Sequence, residues 1–96
     1  MKTVYKYTDH ISDIVEFYLP RHAEILKVDT QDDGASQMVT LWALIDTEDE
    51  RDKVCRRVRI AGTGHPLEDS SIGGVKYINT FTIMDRALWF HAFEIS

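Results

Sequence analysis

The chain has 96 residues, 44% of them hydrophobic and 28% charged, with 16 acidic against 11 basic side chains and a formal net charge of −5. These totals exclude an intrinsically disordered chain, a second independent core, and a non-specific nucleic-acid binder, which needs basic surface. No apolar run approaches the roughly 18–20 residues of a membrane-spanning helix, no apolar signal core follows MKTVYKYTDH, and the lone Cys55 cannot close an internal disulfide; the expectation is one cytoplasmic domain over residues 1–96.

The hydrophobic period is mostly two rather than 3.6. Thr3-Val4-Tyr5-Lys6-Tyr7 alternates and predicts a first strand. Ile14 to Leu19 predicts a second, stopped by Pro20. Ile11, Ile14, Val15 and Tyr18 also fit a helical stripe, but the run is short and rich in β-branched and aromatic residues, which favours strand. Ala23 to Thr30 reads as a third strand, and the Asp33-Gly34 pair after it signals a hairpin turn, because glycine accepts positive φ. Met38 to Ile45, MVTLWALI, is almost wholly apolar and predicts a central strand covered on both faces.

Residues 46–52, DTEDERD, carry five acids and one arginine; residues 53–59, KVCRRVR, carry four bases and no acid. An acidic turn thus leads into a basic strand; the two segments read as solvated faces that attract each other locally, or as a charged patch for a partner. From Val54 to Ala61, Val54, Arg56, Val58 and Ile60 share one face, while Lys53, Cys55, Arg57 and Arg59 share the other. The neighbouring arginines would lower the pKa of an exposed Cys55, which otherwise reads as a passive strand residue. Lys76 to Met84 predicts a strand with Tyr77, Phe81 and Ile83 on one face. Asp85-Arg86 is a tight connection, and Ala87 to Ile95 is a last strand, apolar on both faces.

This pattern is that of an all-β domain, a small antiparallel sandwich or barrel of about seven short strands. At most one short helix fits, in the 62–75 connection, where Pro66 suits a first helical position, Glu68 and Asp69 the positive end of the dipole, and Gly73 the exit. Two strands apolar on both faces need cover that so small a sheet protein has little material to supply, which predicts a homo-oligomer.

The 62–75 connection holds four of the five glycines, and connections of such length in compact domains are often functional. Gly62-Thr63-Gly64 can turn successive N–H groups into one hollow that attracts anions. Arg57 and Arg59 enter it and His65 follows, so Arg57, Arg59, Gly62, Thr63, Gly64 and His65 form the candidate site for a phosphate or carboxylate. A plain structural connection fits the same residues. The segment is neither a phosphate-binding P-loop, which ends in Gly-Lys-Ser/Thr, nor a dinucleotide fingerprint, since Leu67 stands at the third glycine position. His91, within Trp89-Phe90-His91-Ala92-Phe93, reads as a core-edge histidine. His10 and His22 match no metal-ligand spacing, no acid pair is placed for proton transfer, and no serine sits in a nucleophile elbow. No catalytic residue, metal or cofactor is expected.

The order LPRHAEILKVDTQ, LWALID, RIAGTGHPL, KYINTF and ALWFHAFE resembles a family of small proteins of tailed bacteriophages and prophages. Its members read roughly LP-x-GA-x-IL-x-V-x-x-Q, LWALVD, GTG, YIGTF and LVFHVFE. The resemblance covers nearly the whole chain. It departs at His22 and Asn79, where the pattern carries glycine, and at Asp85-Arg86, which replaces a glycine-rich hairpin. It implies a phage-encoded protein acting in the host cytoplasm, or a part of the virion, and it implies no activity. The expected function is that of an accessory protein acting by binding: an inhibitor or modulator of a host defence system through a host protein or a small anionic ligand. The alternatives are a nucleotide- or anion-sequestering protein using the 57–65 region and a minor virion structural protein.

Overall fold

The structure is a computed structural model describing residues 1–32, 37–65, 74–83 and 86–95. The strands are β1 Lys2–His10, β2 Ile14–Pro20, β3 Glu24–Asp32, β4 Gln37–Asp46, β5 Lys53–Gly62, β6 Val75–Ile83 and β7 Leu88–Ile95. The other regular element among the described residues is a 3₁₀ turn, Thr47–Asp49, capped by Asp46, whose carboxylate accepts the Glu48 N–H. The strands form two antiparallel sheets, ordered β1-β4-β3 and β2-β5-β7-β6. Of the two architectures the sequence allows, the sandwich is the one formed; the sheets do not close into a barrel. The short helix expected in the 62–75 connection and the Asp33-Gly34 turn lie outside the described residues.

Period-two patterning is what builds the core. Val39, Leu41, Ala43 and Ile45 point inward from β4. Val15, Phe17 and Leu19 do so from β2, and Val58 and Ile60 from β5. Each of these side chains other than Ala43 contributes about 1.5–3 kcal/mol on leaving water. Arg56 points inward with Val58 and Ile60, as the alternation requires. A charge there needs partners, and it has them: its guanidinium grips the Glu94 carboxylate through Nε and Nη2, and Nη1 donates to the Ala23 carbonyl at 2.9 Å.

Two expectations are corrected. First, β4 is central in its sheet, but among the described residues no second sheet lies over its outer face, where Thr40 is nonetheless buried. Met38, Trp42 and Leu44 are half-buried, and Trp42 is shielded by the Lys27 ammonium 5.7 Å above its ring. Second, Tyr77 does not share a face with Phe81 and Ile83. The β6–β7 register shifts between Tyr77 and Asn79, so an extra residue, Ile78, reverses the alternation. Phe81 is buried against the core, whereas Tyr77 faces out, 5.6 Å from the Phe93 ring.

The same bulge brings Asn79 to the inner side, opposite β3. Its Oδ1 accepts the Val28 N–H at 2.8 Å, and its Nδ2 donates to the Val28 carbonyl at 2.8 Å. One side chain thus stands in for a rung of backbone ladder between the edge strands of the two sheets. The Thr30 hydroxyl, reaching the Thr82 carbonyl at 3.4 Å, supports the same seam.

Candidate functional site

Of the described candidate residues, Arg57 and Arg59 lie on the outer face of the four-stranded sheet, and Gly62 to His65 lie at the end of β5. The rows of that face follow from register: Glu16, Arg57, Ile95 and Val75 lie in one, Ile14, Arg59, Phe93 and Tyr77 in the next, then Ala61, His91 and Thr80. Arg57 and Arg59 point outward together, as the alternation predicts. Arg59 is engaged by the chain itself. Its Nη1 donates to the Asp13 carbonyl at 3.2 Å and the Ile60 carbonyl at 2.9 Å, and it lies 3.6 Å from the Asp13 carboxylate. It therefore fastens the turn between β1 and β2 to β5.

Gly62 to His65 form a tight turn at the end of β5. The His65 N–H donates to the Gly62 carbonyl at 3.0 Å, and Gly64 has φ +86°. Negative φ at Thr63 followed by positive φ at glycine is the type II pattern. The Thr63 N–H donates to the Trp89 carbonyl at 3.2 Å. Two of the amides that an anion hollow would use are thus directed to carbonyls of the protein. Arg59 and Arg57 precede Thr63 by four and six residues of extended chain, about 13 and 20 Å at 3.3 Å per residue. The turn and the two arginines occupy different parts of the face.

The turn instead meets β7. The Thr63 hydroxyl is 2.8 Å from His91 Nε2; His91 Nδ1 is 2.9 Å from the Thr80 hydroxyl; and that oxygen is 2.7 Å from the Tyr77 hydroxyl. Both ring nitrogens of His91 are satisfied, and the line of four side chains crosses β5, β7 and β6. His91 is the half-buried edge histidine that the sequence suggests, with two hydrogen bonds.

Beside this line lies an open groove of about 520 Å³, lined by Gly62, Thr63, His65, Ala87, Leu88, Trp89 and Phe90. A Cβ on Gly62 would sit 2.9 Å from His65 Nδ1, so the glycine leaves room for the imidazole to fold back over the turn. Trp89 forms one wall and is 51% exposed. The sequence gives Trp89 no role beyond its place in the last strand. The one available signal was the polar His91 two residues on, which marks the outward parity of Trp89. A second cleft, of about 310 Å³, lies over the Arg56–Glu94 pair, with His22, Lys76 and Tyr77 on its walls.

At Cys55 the lowered pKa that the adjacent arginines could have produced is not found, which agrees with the passive strand reading. Its thiol donates to Glu16 Oε2 at 3.3 Å; burial, that hydrogen bond and the carboxylate's charge push its pKa up, and Arg57 opposes them only in part. Of the two adjacent arginines, Arg56 points to the opposite face of the strand. Among the described residues, no group of three or more His, Cys, Asp or Glu could hold a metal, and no helix is long and apolar enough to cross a membrane.

Comparison with curated proteins and with solved structures finds no match to the chain. The family model of a domain of unknown function, DUF7352, matches residues 1–96, and the chain belongs to that family.

Proposed function

We propose that this protein acts by binding, as a phage accessory protein directed at a host system, and that the groove beside the Gly62–His65 turn takes a small ligand carrying a planar ring and negative charge, of the nucleotide type. The observation that supports this reading is the half-exposed Trp89 on the groove wall, with Thr63 and His65 on its rim. A tryptophan left half in water is a stacking platform, and stacking a base on an aromatic ring contributes about 1–3 kcal/mol. The groove volume of about 520 Å³ falls in the range of small-molecule sites, roughly 300–1,000 Å³. Groups that can meet a phosphate are the His65 imidazole, as a hydrogen-bond donor, and the cationic, exposed Arg86, which immediately precedes the groove-lining Ala87. Arg59, tied to Asp13, serves the fold rather than the ligand on this reading.

The chain has two tryptophans, so Trp42→Phe leaves Trp89 as the sole indole reporter. Titration of this variant with mono-, di- and cyclic nucleotides should quench its fluorescence. The same ligands should raise the melting temperature: at a hundredfold excess over Kd the gain is about 2.7 kcal/mol, or about 10–20 °C for a domain of this size. Trp89→Ala should abolish that rise. A panel giving neither quenching nor a thermal shift eliminates the reading. The protein's presence in purified virions would favour the particle role instead.

A further inference from the structure

We propose that the cleft over the Arg56–Glu94 pair is a binding site for a small monocarboxylate carrying an apolar or aromatic group. This inference is independent of the groove reading: Leu88 to Phe90, at the start of β7, line the groove, whereas Glu94, near the end of β7, lines the cleft. The cleft, of about 310 Å³, sits where the edge strands β3 and β6 part. Their seam is closed at Val28·Asn79 and Thr30·Thr82. Each strand has a register shift just before that closure, β3 between Ile25 and Lys27 and β6 between Tyr77 and Asn79. A bulge bends an edge strand, and Ile25 and Ile78, at the two bulges, line the cleft.

The floor of the cleft supplies the donors. Arginine has five N–H donors in a planar fork. On Arg56, Nε and Nη2 each give one to the Glu94 carboxylate, and Nη1 gives one to the Ala23 carbonyl. Two N–H groups remain, one on each terminal nitrogen, and no acceptor among the described residues meets them. The two terminal nitrogens form the end of the fork, which matches the paired oxygens of a carboxylate. The Arg56 and Glu94 side chains are only 18% and 22% exposed, so a hydrogen bond made there is stronger than one in open water. Glu94 already balances Arg56, and the charge for the ligand comes from the wall. Lys76 stands opposite Glu94 in the β6–β7 register, yet among the described residues its ammonium pairs with no carboxylate. Glu24, exposed on the β3 wall, opposes a second negative charge. One carboxylate therefore fits better than a phosphate dianion. Ile25, Ile78 and Tyr77 give its apolar part a surface to lie on.

Isothermal titration calorimetry with benzoate, hexanoate and inorganic phosphate tests this. Benzoate or hexanoate should bind with a Kd below about 1 mM, and phosphate more weakly. Lys76→Ala, at an exposed position, should weaken carboxylate binding at least about tenfold. Lys6→Ala, which removes the same charge from exposed β1, should leave it unchanged. Arg56→Lys keeps a cation for Glu94 but lacks the fork, and should weaken binding by a similar factor. Should that variant unfold, the native protein gives the same reading by nuclear magnetic resonance: the Arg56 guanidinium signals should shift on addition of benzoate. A protein that takes up neither carboxylate at about 10 mM overturns the proposal. So does phosphate binding as tight as that of the carboxylates, native affinity in Lys76→Ala, an equal loss in Lys6→Ala, or Arg56 signals that stay in place.

Discussion

Asn79→Ala removes the carboxamide that joins the two sheets and leaves the N–H and C=O of Val28 without their partners. Val28 is fully buried, and both of its hydrogen bonds to Asn79 are 2.8 Å long. Each orphaned buried group costs about 1–3 kcal/mol, so the variant should lose about 2–5 kcal/mol. That is a large part of the roughly 5–15 kcal/mol that holds a domain of this kind. Urea unfolding followed by circular dichroism should show a lower midpoint at an unchanged slope. Asn79→Asp sharpens the test. A carboxylate still accepts the Val28 N–H but faces the Val28 carbonyl, and only the protonated carboxyl can donate there. Its folded pKa should therefore rise above the unfolded value of about 3.9. With a raised folded pKa, stability returns as pH falls through it, the reverse of the behaviour of Asp46 and Asp52. A loss below about 0.5 kcal/mol for Asn79→Ala, the level of an ordinary surface change, would refute the seam.

Arg86 occupies the left-handed region at φ 69°, which costs a side-chain-bearing residue about 1–2 kcal/mol. Arg86→Gly should raise the melting temperature by a few degrees, offset in part by glycine's greater unfolded freedom. Because desolvation, and after it the Glu16 hydrogen bond and charge, hold the Cys55 thiol above its ordinary pKa, Glu16→Gln should remove part of the shift and speed alkylation of Cys55 by iodoacetamide at pH 8. An unchanged or slower rate would show that the carboxylate does not govern the thiol. Asp46, bonded to the Glu48 N–H and the N-terminus, and Asp52, bonded to Arg21, are held below the ordinary carboxylate range. A depressed folded pKa gives stability that is full above the unfolded value of about 3.9 and is lost as pH falls below it. Asp52→Asn should accordingly flatten the acid limb of a stability–pH curve.

The strands were legible because the alternation that defines them is local: the stretch from Ile14 to Leu19 needs no distant partner to be read as extended. The inward course of Arg56 was legible for the same reason, but its partner Glu94 was not, since 38 residues separate them. Parity failed where one residue was added. The bulge at Ile78 sends Tyr77 out and Asn79 in, and nothing in Lys76-Tyr77-Ile78-Asn79 announces it. Asn79 stands where the resembling pattern has glycine, and the structure gives that exchange a consequence, the closure of the sandwich edge. At the candidate site, the turn at Gly62–His65 was legible from its glycines. Its neighbours Trp89 and His91 were not, because the β5–β7 pairing that delivers them is long-range.

The strand order carries a kinetic consequence. Two of the five pairings, β3–β4 and β6–β7, join strands consecutive in the chain, whereas β1–β4, β2–β5 and β5–β7 bring together strands with others between them. Loop-closure entropy must be lost before those contacts form, which places folding in the millisecond-to-second range of β-sandwiches rather than the microseconds of helical bundles. While β5 waits for β7 during folding, it presents an unpaired edge, and crowded nascent chains at that stage are the state most exposed to mispairing.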